Sequence, residues 1–189
     1  VISDGTAVLG LGDIGPSASM PVMEGKSILF KEFADVDSFP LVINETDPDK
    51  LVEIIASLEF SFGGINLEDI SAPRCFEVEE KLKERLDIPV FHDDQHGTAI
   101  VTVSGIINSL KLLNKEFADL KVVLNGPGAA GTAIIKLLQE FGVKDIIACD
   151  REGALYEGRE GLVDPHKIDL AKTTNPRQVT GGLKEAIVG

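Results

Sequence analysis

The stretch from Lys121 to Arg151 constrains this chain more than any other part. It reads as an apolar run, Val122-Val123-Leu124-Asn125, then Gly126-Pro127-Gly128-Ala129-Ala130-Gly131, a helical run, a second apolar run, Ile146-Ile147-Ala148-Cys149, and Asp150. Each part has a physical use in a dinucleotide-binding strand–helix–strand unit. Gly126 lets the chain turn sharply out of a strand, Gly128 lets backbone approach a pyrophosphate, and Gly131 lets the new helix pack close to the sheet. The helix opening at Ala129 and Ala130 then presents its free N–H groups to the phosphates. Asp150 follows Gly131 by 19 residues, close to the ~20 expected of the acid that accepts a ribose hydroxyl. An acid there favours NAD. The adjacent Arg151 pulls the other way, because an arginine at that place can receive the 2′-phosphate of NADP.

A chain of 189 residues, 43% of them apolar, is globular and long enough for one large domain or two small ones. No apolar run approaches the ~20 residues of a membrane span, and the start lacks the basic-then-apolar pattern of a secretion signal. Cys75 and Cys149 show no metal-ligand spacing and suggest no disulfide framework. A cytoplasmic protein without a membrane partner is expected. The net charge of −13 argues against nucleic acid, whose phosphates such a surface repels. An anionic substrate would need a local source of positive charge, such as a lysine, a helix N-terminus or a metal ion.

Residues 1–12 read as a strand breaking into a glycine-rich turn. Residues 26–36 have helical spacing, with Ile28, Leu29 and Phe33 on one face. Residues 40–44 read as a buried strand, 49–58 as a helix entered through Asp47-Pro48, and 64–67 as a strand ending at Glu68-Asp69. A charged helix over 76–86 leads to a strand at 88–91, ending at His92-Asp93-Asp94, and residues 97–113 are helical. After Asp150 a short hairpin is expected around 154–156, a helix over 165–172, and a final segment over 183–189. Strands alternating with helices place the chain in the α/β class, with parallel sheet covered on both faces. A charged connector at 114–120 separates two strand–helix systems. A doubly wound sheet needs strands beyond the last segment, so the second domain is expected to be incomplete.

Open α/β sheets bind ligands beyond the carboxyl ends of their strands, and two apolar runs end there in adjacent acids, Glu68-Asp69 and Asp93-Asp94. Three carboxylates brought together suit a hard divalent ion such as Mg2+ or Mn2+. An isolated acidic pair is more commonly a solvated loop or a helix cap, and Asp94-Gln95-His96-Gly97 also reads as capping. His92 and His96 have i, i+4 spacing, which suits a helix, whereas the residues before them suggest a strand. Lys26 falls at the expected start of a helix, where the macrodipole disfavours a cation and lowers its pKa, as a general base requires. A lone lysine is equally an ordinary surface charge.

Four segments carry a resemblance. Residues 3–16, Pro21-Val22-Met23-Glu24-Gly25-Lys26, Gly64-Ile65-Asn66-Leu67-Glu68-Asp69 and Phe91-His92-Asp93-Asp94-Gln95-His96-Gly97-Thr98-Ala99 resemble, in order, the malic enzyme family in its shorter bacterial and archaeal form. The resemblance implies a parallel-sheet domain over 1–116 that binds malate and metal, its N-terminal part missing. It also implies a Rossmann-type NAD(P)-binding domain over 117–189, its C-terminal part missing. By the same resemblance Glu68, Asp69 and Asp94 match metal ligands, Lys26 a catalytic lysine, and Asp93 a second catalytic acid. Gly126, Gly128, Gly131 and Asp150 match the dinucleotide site.

The implied reaction is oxidative decarboxylation of L-malate to pyruvate and CO2 with reduction of NAD or NADP, dependent on Mg2+ or Mn2+, in a homodimer or larger assembly. Larger forms of the family carry a malate-binding arginine where this chain has Ala7, and the family's proton-donating tyrosine comes from an earlier segment. The sole tyrosine here, Tyr156, lies after the glycine-rich loop, so this stretch alone is not expected to complete turnover. Two other readings stay open: a module that binds NAD(H) or dicarboxylates without turnover, and a different metal-dependent β-decarboxylating dehydrogenase of 2-hydroxy acids.

Overall fold

The computed structural model describes residues 1–188; Gly189, the end of the segment expected over 183–189, lies outside them. By packing the chain forms two compact units, meeting between Asp94 and Gln95. That division precedes the charged connector, because the helix before the connector gives Val103, with Ile106 and Ile107 against it, to the second unit's core.

The first unit contains β1 (Ile2–Ser3), α1 (Gly15–Ala34), β2 (Leu41–Val42), α2 (Pro48–Ala56), β3 (Ile65–Leu67), α3 (Arg74–Arg85) and β4 (Val90–His92). Its strands are parallel in the order β2-β1-β3-β4. The chain leaves β1 to one side and returns to the other, which creates a switch point between β1 and β3, where crevices form at strand carboxyl ends. Helix α2 opens on Asp47, whose carboxylate accepts from the amides of Asp49 and Lys50, a cap worth about 1 kcal/mol. Its Leu51, Val52 and Ile55 are buried, as are Cys75, Val78 and Leu82 of α3, the spacing of one helical face. Each such side chain contributes about 1.5–3 kcal/mol when fully buried.

Helix α1 departs from the sequence reading. It begins at Gly15, runs through Pro21, and buries Ser19, Met23 and Ser27, a stripe of i, i+4, i+8 positions. Ile28, Leu29 and Phe33, which the spacing puts on one face, are exposed. The glycine-rich turn after β1 closes through a single bridge between Val8 and Gly12.

Helix α4 (Asp93–Leu113) starts directly after β4 and leads into the second unit, with β5 (Lys121–Asn125), α5 (Ala129–Glu140), β6 (Asp145–Asp150), β7 (Gly153–Ala154), α6 (Pro165–Thr173) and α7 (Leu183–Ile187). Strands β5 and β6 are parallel and β7 folds back antiparallel on β6. Alternate residues of β6 enter different cores: Ile146 and Ala148 join Ile135, Leu138 and Leu170, while Ile147 and Cys149 join Ala154 and Ala186. Both faces of this strand are therefore covered, as its unbroken apolar run requires. Both cysteines are free and buried. Among the described residues no helix is long and apolar enough to cross a membrane.

Candidate functional site

Strands β3 and β4 lie side by side in register, Leu67 opposite His92, so the acids that follow them emerge together. Glu68, Asp69 and Asp94 each offer an oxygen within 4.8 Å of the others. Glu68 and Asp69 are 8% and 5% exposed. Asp69 takes a left-handed backbone, φ 55°, and its amide donates to Oδ2 of Asp94 at 3.0 Å. Asp93 and Asp94 form the first turn of α4, where the helix dipole favours negative charge. The pair thus follows the end of β4, as expected, but α4 begins at Asp93, four residues before the helix expected from Gly97, so the two acids lie inside its first turn.

Lys26 reaches the same place from α1. Its Nζ lies 2.7 Å from Oδ2 of Asp93 and 3.0 Å from Oε2 of Glu68. The same Glu68 oxygen accepts from Nδ2 of Asn66 at 3.0 Å. A cleft of about 790 Å³ has Lys26, Asn66 and Asp93 in its wall beside Phe30, Phe62 and Phe91. His92 is fully buried in β4, with Nε2 3.7 Å from Oδ2 of Asp94.

Burial, and then the charge of neighbouring Glu68, push Asp69 up to about 6. Burial, and then the charges of Glu68 and Asp69, push Asp94 to about 7. Crowded, desolvated carboxylates of this kind are the arrangement a divalent cation relieves. Lys26 differs from expectation. It sits in the middle of α1 and not at its start, so the N-terminal dipole does not act on it. Burial opposes its charge, but hydrogen bonds to Asp93 and Glu68 outweigh burial and raise its pKa above the ordinary lysine value.

In the second unit the chain leaves β5 through Gly126 at φ 98°. The Gly126 amide donates to Cys149 at 2.9 Å, and its carbonyl accepts from Gly128 at 2.9 Å. Helix α5 starts at Ala129 with extended Gly128 before it and no side-chain cap, leaving its first amides without intrahelical partners. A Cβ on Gly131 would strike the Gly126 carbonyl and come within 2.9 Å of Leu124 Cδ2, whereas one on Gly128 would meet nothing within 4 Å.

Asp150 ends β6, and its carboxylate is already held. Arg159 donates to both oxygens, at 2.9 and 2.7 Å, and Lys167 donates at 2.9 Å. The Arg159 guanidinium holds this carboxyl well below the usual carboxylate range, against the effect of burial. Arg151 is exposed in the turn that follows.

The structure thus brings Lys26, Glu68, Asp69, Asp93 and Asp94 into one cluster, and gathers Gly126, Gly128, Ala129, Ala130 and Gly131 at one helix start with Asp150 on the neighbouring strand. Sequence reasoning missed Asn66, Arg159 and Lys167. Asn66 lies two residues before Glu68 along β3, the period that puts two strand residues on one side, and could have been found by it. Arg159 and Lys167 reach Asp150 from 9 and 17 positions away, across loops with no period to read.

The malic enzyme N-terminal domain matches residues 1–47 and 44–83, and the malic enzyme NAD binding domain matches residues 95–188. The chain belongs to the malic enzyme family. It is 60% identical to the bifunctional malic/malolactic enzyme of Bacillus subtilis, over 100% of this chain and 46% of that protein. It is 56% identical to the NAD-dependent malic enzyme of Geobacillus stearothermophilus, over 100% of this chain and 39% of that protein. The NADP-dependent malic enzyme of Haemophilus influenzae is 55% identical over 93% of this chain and 23% of its own length. The crystal structure of an NAD-dependent malic enzyme from Thermotoga maritima matches with a TM-score of 0.95 at 51% identity, covering 98% of this chain and 50% of that one. This member of the malic enzyme family therefore spans half or less of the relatives it matches.

Proposed function

We propose that the protein carrying this chain catalyses divalent-metal-dependent oxidative decarboxylation of L-malate to pyruvate and CO2 with reduction of NAD or NADP. The observation that carries the reading is the convergence of Glu68, Asp69 and Asp94 within 4.8 Å, beside a lysine that bridges Glu68 and Asp93. Three hard oxygen donors, mostly buried and two with raised pKa values, fit Mg2+ or Mn2+. When bound, the cation supplies Lewis-acid polarisation at the C2 oxygen and the nicotinamide accepts the hydride.

Lys26 would be the group that takes the C2 hydroxyl proton. Because its pKa is raised, it must first hand its own proton on, and Asp93 at 2.7 Å is placed to accept it. Once the hydroxyl proton has moved to Lys26, its ammonium lies where it can donate back to the carbonyl oxygen that replaces the hydroxyl. Ala7 offers no charge to a substrate carboxylate, so the positive charge on the protein side of this cluster comes from Lys26.

The first unit, with the acidic cluster, would bind malate and metal, and the second, with the glycine-rich loop, NAD(P). In the second part the pyrophosphate would lie over Gly128 and the amides of Ala129, Ala130 and Gly131, with Asp150 and Arg151 toward the adenosine ribose. The held state of Asp150 among two cations leaves NAD and NADP to be compared directly. Exposed Leu9, Phe33 and Phe60, at 95%, 82% and 99%, support a homodimer or larger assembly.

The test follows absorbance at the reduced-nicotinamide band for the full-length protein with L-malate and NAD or NADP, with and without Mn2+. Metal-dependent reduction with release of pyruvate is expected. Coenzyme binding without reduction, or reduction with another 2-hydroxy acid and none with malate, would overturn the reading.

A further inference from the structure

Asp69 is a non-glycine residue in the left-handed region, a conformation that costs of order 1–3 kcal/mol and persists where its surroundings over-determine it. Besides Asp94, whose carboxylate accepts from the Asp69 amide, residues outside the acidic cluster hold it. The Asp69 carbonyl accepts from the amide of Ala7 at 3.0 Å. Two residues on, the amide of Ser71 donates to Oγ1 of Thr6 at 3.0 Å. The segment carrying Asp69 is therefore gripped at both ends by Thr6 and Ala7, which follow β1.

Thr6 is itself fixed. Its hydroxyl donates to Oδ1 of Asp4 at 2.6 Å and accepts from Nη2 of Arg74 at 2.9 Å as well as from Ser71. One donor and two acceptor sites are all a hydroxyl has, and all are used. Asp4 is 2% exposed, and its second oxygen accepts from the same Arg74 nitrogen. The other terminal nitrogen of Arg74 donates to the Thr46 carbonyl at 3.0 Å, so one guanidinium joins the loops after β1 and β2 to the start of α3. A lysine in its place could not make these contacts from one planar fork.

We infer that Arg74, acting through Asp4 and Thr6, is a positioning residue for the acidic cluster: it holds the loop that keeps Asp69 left-handed, with its carboxylate beside Glu68 and Asp94. The inference rests on the reading of that cluster as a divalent-metal site. Substitution of a partner behind a metal ligand typically weakens metal affinity 10–100-fold. A purely structural role for this network would instead lower thermal stability and leave the metal affinity of the folded protein unchanged.

The experiment titrates Mn2+ alone into the metal-free full-length protein, following loss of the free-ion electron paramagnetic resonance signal, and records the melting temperature of each variant without metal. Thr6→Val is close in shape and removes only the hydroxyl; Thr6→Ser restores it; Arg74→Lys keeps the charge without the fork. Glu68→Gln tests the metal reading by itself. The expected result is roughly 10–100-fold weaker Mn2+ binding in Thr6→Val and Arg74→Lys, recovery in Thr6→Ser, and larger loss in Glu68→Gln. Wild-type affinity in both Thr6→Val and Arg74→Lys, alongside loss in Glu68→Gln, would overturn the inference and leave the metal reading standing. If the wild type fails to bind Mn2+, or Glu68→Gln binds it unchanged, both fall together.

Discussion

The amide of Asp69 donates to the carboxylate of Asp94 at 3.0 Å, so two candidate ligands from separate strand ends are tied before any ion arrives. The bond fixes one oxygen of Asp94 by backbone geometry. It also sets the separation of two side chains that repel each other when both are charged. A cluster built this way is pre-organised for a cation, because little reordering is left for binding to impose.

Asp94→Asn separates the charge of this residue from its structural bond, since an asparagine oxygen still accepts from the Asp69 amide. Because it also relieves the repulsion among these carboxylates, the metal-free variant is expected to melt no lower than the metal-free wild type. Its Mn2+ affinity should fall by more than the ~10–100-fold typical of partners that only orient a ligand. Calorimetric titration of the metal-free protein checks this, and unchanged affinity would remove Asp94 from the ligand set.

Metal removal gives a second expectation. An ion that binds the folded state alone stabilises it by about 2.7 kcal/mol at 100 times its dissociation constant. Mn2+ should therefore raise the melting temperature of the wild type, and a chelator should reverse the rise. Asp69→Asn and Glu68→Gln should show almost no rise.

Lys26→Arg keeps a cation between Asp93 and Glu68 but cannot release a proton near neutral pH. If Lys26 moves the hydroxyl proton, kcat should fall about 10²–10⁴-fold, the usual contribution of a placed acid–base group, while KM for malate changes little. Steady-state kinetics by absorbance of reduced coenzyme reads both. A rise in KM at constant kcat would assign Lys26 to substrate binding alone.

These sites were unevenly readable in the sequence. Apolar runs that end in acids locate Glu68, Asp69, Asp93 and Asp94 at strand ends, since parallel strands must bury their runs and can release charge only at their tips. Helix α1 starts at Gly15, well before the start expected at Lys26, and continues through Pro21, a residue that lacks a backbone donor and is disfavoured inside helices. With the expected start went the electrostatics of Lys26, whose pKa depends on carboxylates 42 and 67 positions away and not on the helix start that was expected. The partners of Asp69 and Asp150 were equally hidden. Arg74 meets Asp4 across 70 positions, and no local period encodes a contact made only when three loops fold against each other.

Two glycines of the dinucleotide loop should respond differently to the same methyl group. In Gly131→Ala the new Cβ meets the Gly126 carbonyl and Leu124, so α5 must shift from β5, an overpacking cost of about 1–3 kcal/mol. Gly128→Ala adds its methyl to open space at an ordinary backbone conformation, and stability should be close to wild type. If the pyrophosphate crosses Gly128, this second variant should nonetheless lose coenzyme affinity. Thermal melts with fluorescence titration of NADH and NADPH separate the cases, and full affinity in Gly128→Ala would place the pyrophosphate elsewhere.

Asp150 gives the clearest dependence on pH. Hydrogen bonds from Arg159, with those from Lys167 and the Glu152 amide, lower its folded pKa below the unfolded value near 3.8, against burial. A depressed carboxyl contributes stability that is fully present above the unfolded pKa and lost as pH falls through the folded one. The contribution should therefore be complete at pH 7 and disappear on acidification below about pH 4. Asp150→Asn removes it at every pH and leaves Arg159, whose side chain is 9% exposed, with only the more distant carboxylate of Glu152 at 3.8 Å. Breaking such a pair from one side costs about 3 kcal/mol. Urea unfolding at pH 7 should show that loss, and the gap between variant and wild type should narrow as the pH drops below 4. A gap that stays constant into acid would mean that Asp150 contributes by packing, and that its charge pair with Arg159 is not what holds the end of β6.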